Sequence, residues 1–447
     1  MLEEKIKIFL EKAGPIFFVT PAVGRAIGME TEPPDFHIIC AKESEDIDIL
    51  KQAGVKVLCL QKDIRGASKI LANPKTVDYI KRNSVGKRAN VVTFKPSPMI
   101  EKICEENDFR YLGNKSALNR EFEDKIRFAE VTSELGVPNA NSRILKIEKN
   151  TSSDFLDFSE KQKYVIQFSY GYSGNSSFLI KSLRDFEKIL KNNIGRRIKI
   201  TDYKEGETYT LNVCIGKFGT LLSQPIFQIT GFSDFNKNTL GTCGNDYEFG
   251  KKLSEKSKKR LKLNIERVAK KLCQNDYRGF VGFDFQISDD EINLIEINPR
   301  LVGSVPVFTK LQIFSKETPF LLLHILSFLD FDFSEIGIKE RKRDFMFSQI
   351  ILRNISEKDV KIKKTLKGGI YKFDKGKILF QKEAYCGDKK MGKNDFFLDC
   401  SAAGSVIGLD VEYANIQFGY GIMEEKGKLK NFPLEIIKSV MKEIILH

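Results

Sequence analysis

Two neighbouring apolar segments near the middle of the chain contain charged side chains. The segment "GFVGFDFQI" carries Asp284, and "INLIEINPR" carries Glu296, Asn298 and Arg300. Successive side chains of a strand point to opposite faces, and in both segments the apolar residues alternate with these polar ones. Each segment is therefore predicted to be a strand with one apolar face and one face that could do chemistry. In an extended chain Arg300 would share the polar face.

The two strands are predicted to form a hairpin whose turn, "SDDE", is centred near Asp290. In that register Asp284 lies opposite Glu296 on one face, and Ile295 and Ile297 face the core. Facing carboxylates repel each other unless a cation neutralises them, and Mg²⁺ or Mn²⁺ prefers carboxylate and amide oxygens. The alternative is an exposed sheet face that carries ordinary surface charges. The presence of an aspartate, a glutamate, an asparagine and an arginine on one face of a hairpin favours a functional site instead. The expected metal ligands are Asp284, Glu296 and Asn298.

Composition argues against several other kinds of chemistry. The chain of 447 residues has three histidines, and its eight cysteines include no CxxC pair, so we expect neither histidine catalysis nor a zinc or redox motif. The formal charge of +13 is spread along the chain among glutamates, which favours small anionic substrates over nucleic acid. No secretory signal or membrane-spanning segment is recognisable, so a cytoplasmic protein is expected.

The pattern of strands and helices changes along the chain and predicts an α/β (α+β) protein. Residues 1–112 alternate strand-like and helix-length segments, which is typical of a small open α/β sheet. Residues 113–335 contain the hairpin, and within them "KYVIQFSYGYSGNSSFLIKS" is predicted to be a strand, a glycine-rich and serine-rich loop and a second strand. Residues 340–447 are rich in short strands and end in a helix, and we interpret them as a separate C-terminal β-rich domain.

The hairpin resembles the catalytic hairpin of ATP-grasp enzymes, in which a GxDF-type strand precedes "EINPR" or a close variant. The resemblance extends to "FEDKIRFAEVTSELGVP", which is similar to the family's "DK…GVP" helix, and to "YVIQFSYGYSGNSS", at the place of its second lysine strand and phosphate loop. It covers roughly residues 1–335 and implies an ATP-grasp fold, with an N-terminal open α/β pre-ATP-grasp domain at residues 1–112 and an ATP-grasp domain at residues 113–335. Within the latter it implies a flexible lid subdomain at about residues 140–200. It also implies ATP and Mg²⁺ as cofactors.

The resemblance implies a nucleotide site built from several parts of the central region. Lys125 would be the first phosphate-contacting lysine, whereas Gln167 stands where most members carry lysine or arginine. Backbone N–H groups of the loop could still bind phosphate, and the residues implicated there are Gly171, Ser173, Gly174 and Ser176, with Ser177 beside them. The segment "KITDYKEGETYTLNV" resembles the adenine hinge, with adenine near Thr201, Asp202, Tyr203 and Lys204, and with Glu207 on the ribose.

The activity implied by the resemblance is an ATP-dependent carboxylate–amine ligase. A carboxylate would become an acyl phosphate, which an amine then attacks, with Arg300 and Asn298 as catalytic residues. The expected partners are small-molecule carboxylate and amine substrates (amino acids or small peptides), and a homodimer is the commonest assembly. Gln224, Gln228 and Lys310 are candidates near the acceptor.

Two other functions remain open. The β-rich C-terminal region favours a biotin-carboxylase-like enzyme, but "EINPRLVGSVP" lacks the Gln-Val-Glu-His continuation of biotin carboxylases. Gln167 instead suggests a nucleotide-binding regulator without turnover, an interpretation that the complete set of hairpin residues argues against.

Overall fold

In the computed structural model, which describes residues 4–62, 64–140, 142–152, 156–158, 162–170, 177–288, 291–335, 344–388 and 390–447, the chain begins with a five-stranded parallel sheet. The strands are β1 (Ile16–Thr20), β2 (Phe36–Cys40), β3 (Lys56–Cys59), β4 (Asn90–Thr93) and β5 (Arg110–Tyr111), in the order β3-β2-β1-β4-β5. The helices around them are α1 (Glu4–Ala13), α2 (Asp46–Gln52), α3 (Ala67–Leu71), α4 (Pro74–Asn83) and α5 (Pro98–Glu106).

The central strand β1 has the sequence IFFVT and is buried along its whole length. A parallel strand covered on both faces reads as a continuous apolar run rather than as an alternation. Accordingly, Phe17 and Val19 pack into one hydrophobic cluster and Ile16 and Phe18 into another. The open α/β pattern predicted for the first part of the chain is confirmed.

Two helices and a small antiparallel sheet follow. The helices are α6 (Ser116–Glu123) and α7 (Lys125–Glu134), and Asp124 between them caps α7 by accepting hydrogen bonds from the backbone N–H groups of Ile126 and Arg127. The sheet has the order β6-β9-β7-β8, with β6 (Ser142–Lys146), β7 (Tyr164–Phe168), β8 (Ser177–Ile180) and β9 (Arg197–Asp202). Helix α8 (Leu183–Asn192) packs against this sheet, which we call the lid sheet, through Phe186.

An 11-stranded sheet forms the centre of the protein. Its first strands are β10 (Glu207–Gly216), β11 (Gly219–Leu222), β12 (Ile226–Ile229), β13 (Gly244–Asp246), β14 (Gly279–Ser288) and β15 (Glu291–Asn298), and the helices of this region are α9 (Glu255–Cys273), α10 (Val305–Phe314) and α11 (Phe320–Phe328). Ser254 caps α9, and the spacing of apolar residues in its sequence predicts one apolar face, which is buried and consists of Leu261, Ile265, Val268, Ala269 and Leu272.

The same sheet continues into the C-terminal region. The remaining elements are β16 (Ser348–Arg353), β17 (Val360–Lys364), β18 (Gly369–Asp374), β19 (Lys377–Lys382), β20 (Asp395–Cys400), β21 (Val406–Ile407), β22 (Glu412–Phe418), β23 (Met423–Glu425), β24 (Lys428–Leu429), α12 (Asn431–Glu443) and β25 (Ile445–Leu446). The strand order is β15-β14-β10-β12-β13-β16-β22-β20-β18-β19, with β11 beside β10. One sheet therefore crosses the predicted boundary near residue 340, and the division into three domains stays a prediction.

Helix α11 packs against the first residues of β14 through a buried histidine. His324 Nδ1 accepts the backbone N–H of Phe280 at 3.0 Å, and Nε2 lies 3.0 Å from the carbonyl oxygen of Leu112. A Cβ on Gly279, whose φ is +88°, would lie 2.2 Å from His324 Nδ1, so the close approach requires glycine there. In the described part of the chain, no helix combines the length and apolar character needed to span a bilayer.

Burial lowers the pKa of His324 from 6.5 to about 4. Between these two pH values the unfolded chain binds more protons than the folded one, so stability falls as the pH is lowered through this window. We expect this group to remove up to about 3 kcal/mol of unfolding free energy by pH 4. Urea unfolding at a series of pH values should give a shallower pH dependence for His324→Gln than for wild type or the exposed His447→Gln. Equal slopes in all three proteins would contradict the assignment.

Candidate active site

The hairpin of β14 and β15 has the predicted pairing at its polar end. Asp284 lies directly opposite Glu296, but Phe285 pairs with Leu294, so Ile295 is the extra residue of a β-bulge. Because of this extra residue, Leu294 and Ile297 pack in the core, and the prediction that Ile295 does so is wrong.

The two facing carboxylates are held by amide side chains. Asn298 Nδ2 donates to Asp284 Oδ2 at 3.2 Å, and Gln228 Nε2, from β12, donates to Asp284 Oδ1 at 2.7 Å. Burial, followed by the negative charge of Glu296, raises the pKa of Asp284 to about 8. The structure thus brings together the three predicted metal ligands, and it adds Gln228, which the sequence suggested only as a candidate.

Lys125, the first residue of α7, reaches the same pair. Its Nζ lies 2.5 Å from Glu296 Oε2. Burial opposes ionisation of Glu296, but the charge and hydrogen bond of Lys125 outweigh it and lower the pKa of this carboxyl. Glu296 is therefore ionised next to a buried lysine, while Asp284 beside it tends to retain a proton.

A second buried lysine, Lys199 on β9, was missed from the sequence. It is 1% exposed, and its side-chain amine makes no hydrogen bond or ion pair with any other residue that the structure describes. Burial, and after it the charge of Lys125, lowers the pKa of Lys199 to about 8, although Glu296 acts in the opposite direction. A buried amine without a partner is costly, so this lysine is a candidate for binding an anion.

Lys199 is the direct cross-strand neighbour of Gln167. The register of β7 and β9 pairs these two residues, and opposed residues in an antiparallel pair share a face. Ile198 and Ile200 on either side pack into the core of the lid sheet, so Lys199 and Gln167 lie on the other face. Gln167 Nε2 donates to Ser177 Oγ at 3.1 Å. The position that lacks the expected cation thus has a lysine on the adjacent strand.

Arg300 approaches the site from the loop after β15, not as part of the extended strand. Its guanidinium donates to Asn298 Oδ1 at 2.9 Å and to Glu123 Oε1, at the end of α6, at 2.9 Å. Lys95 pairs with the other oxygen of Glu123. Burial opposes ionisation of Glu123, but Arg300 and Lys95 outweigh it and lower the pKa of this carboxyl. Arg300 is therefore held beside the carboxylate pair by two neighbouring elements.

The predicted adenine residues lie at the end of β9 and in the segment after it. Asp202 and Lys204 line a cleft of about 590 Å³ together with Asn139, Asn293 and four residues of α9, which are Arg260, Leu263, Asn264 and Arg267. This volume is within the range of small-molecule sites. The carbonyl oxygen of Lys204 accepts a hydrogen bond from Gln286 Nε2 at 3.0 Å, which connects this segment to the hairpin.

The other predicted hinge residues differ in their surroundings. Thr201 is buried, with its hydroxyl 3.4 Å from the carbonyl oxygen of Val165, and the backbone N–H of Tyr203 donates to the carbonyl of Lys163. Glu207 accepts a hydrogen bond from Tyr209, which packs in the core behind the sheet, whereas Thr210 is the residue of β10 opposite Asp284. The strand alternation therefore directs Glu207 away from the face of Asp284.

The remaining predicted residues are four loop residues, Lys310 and Gln224. The loop residues Gly171, Ser173, Gly174 and Ser176 are outside the residues that the structure describes. Lys310 forms an ion pair with the buried Glu30 at 2.5 Å. Gln224 binds backbone groups of Tyr247 and Phe345, so neither Lys310 nor Gln224 points to the carboxylate pair.

The side chains of the hairpin fit a hard divalent cation. Two carboxylates and one amide converge, and Mg²⁺ in proteins commonly takes one or two carboxylates and completes its shell with water and phosphate oxygens. Within the described ranges no group of three or more His, Cys, Asp and Glu side chains could hold a metal by itself. The site thus suits a cation that binds both to these side chains and to the oxygens of a phosphate-containing substrate.

Comparisons with known proteins agree with this arrangement. Residues 122–304 match the family model of the ATP-grasp domain, which includes α7, the lid sheet and the hairpin. No curated protein sequence matches the chain significantly.

Several solved structures share the fold over nearly the whole chain. Biotin carboxylase from Campylobacter jejuni has a TM-score of 0.63 at 13% identity, covering 97% of this chain and 92% of its own. Phosphoribosylamine–glycine ligase from Thermotoga maritima has a TM-score of 0.59 at 11% identity, covering 97% of both chains. Carboxyaminoimidazole ribonucleotide synthase from Aspergillus clavatus, solved with ATP, has a TM-score of 0.55 at 13% identity, covering 97% and 99%. At such identities the similarity establishes the fold alone.

Proposed function

Because residues 122–304 form an ATP-grasp domain, we propose that the protein is an ATP- and Mg²⁺-dependent ligase that joins a carboxylate to an amine. The carboxylate attacks the terminal phosphorus of ATP to form an acyl phosphate and ADP. The amine then attacks the acyl carbon, the C–N bond forms as the C–O bond to phosphate breaks, and a proton is released with phosphate. Amino acids or small peptides are the proposed substrates.

The observation that carries this proposal is the combination of charges at the hairpin. Asp284 and Glu296 face each other, and two buried lysines, Lys125 and Lys199, lie next to them. Carboxylates attract a divalent cation, and lysines attract phosphate oxygens, so the four groups together suit a metal-bound triphosphate. Phosphoryl transfer requires mainly such positioning and charge neutralisation.

Each side chain has a distinct role in the proposed reaction. Asp284, Glu296 and Asn298 would hold Mg²⁺, which neutralises phosphate charge when bound. Lys125 and Lys199 would contact phosphate oxygens, and Lys199 supplies the charge that Gln167 lacks. Arg300, already held by Asn298 and Glu123, would orient the carboxylate acceptor. Asp202 and Lys204, which line the cleft beside the lid, would lie near the adenosine.

A biotin-carboxylase-like carboxylation is the second candidate, because the similarity to a biotin carboxylase extends over 97% of the chain. The acceptor would then be bicarbonate, and the product a carboxylated cofactor instead of an amide. A regulator that binds ATP without turnover is less well supported, because Lys199 offers a substitute for the missing lysine at position 167.

Trapping with hydroxylamine tests the ligase proposal without knowledge of the amine. Wild-type protein with ATP and Mg²⁺ is incubated with a panel of amino acids and peptides, and ADP and hydroxamate are measured, with omission of the acid as the control. Acid-dependent formation of both products is the expected result. ADP formation with bicarbonate and biotin, but with no other acid, would favour the carboxylase. ATP binding without turnover on any panel would favour the regulator.

The same assay measures the contribution of Arg300. Arg300→Ala should lower kcat/KM for the acid by about 100-fold or more, because the acceptor loses a charge-assisted hydrogen bond at the reacting centre. The exposed Arg82→Ala, on α4, is the matched control. A near wild-type rate in Arg300→Ala would exclude the assigned role.

A further inference from the structure

Two loops of the N-terminal sheet meet beside Arg300. Strand β1 pairs with β2 on one side and with β4 on the other, so the strand order β3-β2-β1-β4-β5 reverses direction between β1 and β4. In open α/β sheets, ligands bind at the carboxyl ends of the strands at such a point. Arg25 lies in the short 3₁₀ helix after β1, and Phe94 directly follows β4.

One aromatic ring links the N-terminal sheet to the hairpin. The guanidinium carbon of Arg25 lies 4.6 Å from the centre of the Phe94 ring, and that of Arg300 lies 5.6 Å from the same centre. Guanidinium groups at these distances interact favourably with an aromatic ring. Phe94 is therefore a shared contact of an arginine of the N-terminal sheet and the arginine assigned to the acceptor.

The charges around this ring are unbalanced. Lys95 and Arg300 both pair with Glu123. Arg25 is exposed and forms no ion pair with any residue in the described ranges. Two of the three cations thus share one carboxylate, and the third has no ion-pair partner among the described residues, so the repulsion among them is relieved if an anion binds near them.

We propose that Arg25 and Lys95 bind a second anionic group of the acid substrate, while Arg300 orients its reacting carboxylate. The substrate would then be a dianion, with a carboxylate or a phosphate at the end remote from the reaction. This inference rests on the proposed ligase function, which names a carboxylate without restricting the rest of the molecule. Phe94 would contact the apolar part of the substrate between the two anionic ends.

Three acids of matched length test the inference by binding. Glutarate and 4-phosphonobutanoate carry a second anion of either kind, and pentanoate carries none. In wild-type protein with ADP and Mg²⁺, calorimetry should give a dissociation constant for at least one dianion about tenfold or more below that of pentanoate, the factor expected for a hydrogen bond between charged groups. The dianion that binds more tightly shows whether the site prefers a carboxylate or a phosphate-like group. Arg25→Gln should remove this preference, and Arg82→Gln, on exposed α4, should retain it.

The outcomes separate this inference from the proposed function, because hydroxamate formation is measured on the same proteins. Equal binding of all three acids, or an unchanged preference in Arg25→Gln, overturns the dianion inference even if the protein is a ligase. A preference for a dianion that depends on Arg25, in a protein that forms no hydroxamate with any acid, supports the anion site and overturns the ligase. Phe94→Leu is the second variant, and it should weaken binding of all three acids because each has the same apolar chain.

Discussion

Glu296→Gln is expected to lower kcat for acid-dependent ADP formation by about 100- to 1000-fold, the range found when a preorganised charge at a reacting centre is removed. The reason is that Glu296 has two contacts that a neutral amide weakens. It faces Asp284 as the second carboxylate of the expected metal site, and it pairs with Lys125 at 2.5 Å. Loss of its charge should therefore weaken Mg²⁺ binding and leave Lys125 without its counter-ion.

The measurement combines steady-state kinetics with titration of Mg²⁺ into the ADP-bound protein. Asp374→Asn, an exposed carboxylate on β18 of the same sheet, is the matched control and should behave as wild type. Circular dichroism confirms that each variant is folded. If Glu296→Gln retained wild-type kcat at low Mg²⁺ concentration, the carboxylate pair would not be the metal site.

Lys199→Met is expected to lower kcat/KM for ATP by about 10- to 100-fold, the effect of losing one hydrogen bond to a charged group. Its free energy of unfolding should be equal to or higher than that of wild type, because methionine buries no unpaired amine. Lower activity with unchanged or greater stability would distinguish a functional lysine from a structural one. The exposed Lys188→Met, on helix α8 of the same lid, is the control.

The pairing of Lys199 with Gln167 allows a sharper experiment. Because the two residues are opposed on β7 and β9, the double variant Gln167→Lys with Lys199→Gln moves the cation by one strand. We expect this exchange to recover most of the activity that Lys199→Gln loses. If the single variant has wild-type kinetics, or if the exchange recovers nothing, Lys199 does not substitute for the lysine missing at position 167.

Much of the fold and part of the site were predictable because they depend on local patterns. Alternation in "FVGFDFQI" places Asp284 on the face opposite the core, whereas its pairing with Glu296 depends on the bulge, because the register next to the turn would place Ile295 opposite Asp284. The spacing of apolar residues likewise predicts α9 and its buried face. The bulge at Ile295 was not predictable, since "LIEI" has the same polar pattern with and without an extra residue.

The continuity of the central sheet also depends on distant parts of the chain. Strand β13 pairs with β16, and these two strands lie on opposite sides of the boundary predicted near residue 340. Each strand is short, and its sequence does not indicate its partner, so the pairing across this boundary could not be predicted.

Local pattern is sufficient to place Asp284 and Glu296 on the polar faces of their strands, and Lys125 was predicted from the resemblance of its helix to that of ATP-grasp enzymes. Lys199 is different, since the alternation in "RIKITD" is typical of a half-exposed strand, and burial comes from the packing of the lid against α7. Arg25 and Phe94 approach Arg300 only when the N-terminal sheet packs against the loop after β15. Residues that long-range packing brings together carry no periodic signal, so the proposed phosphate-binding role of Lys199 and the proposed anion site could be inferred only from the tertiary structure.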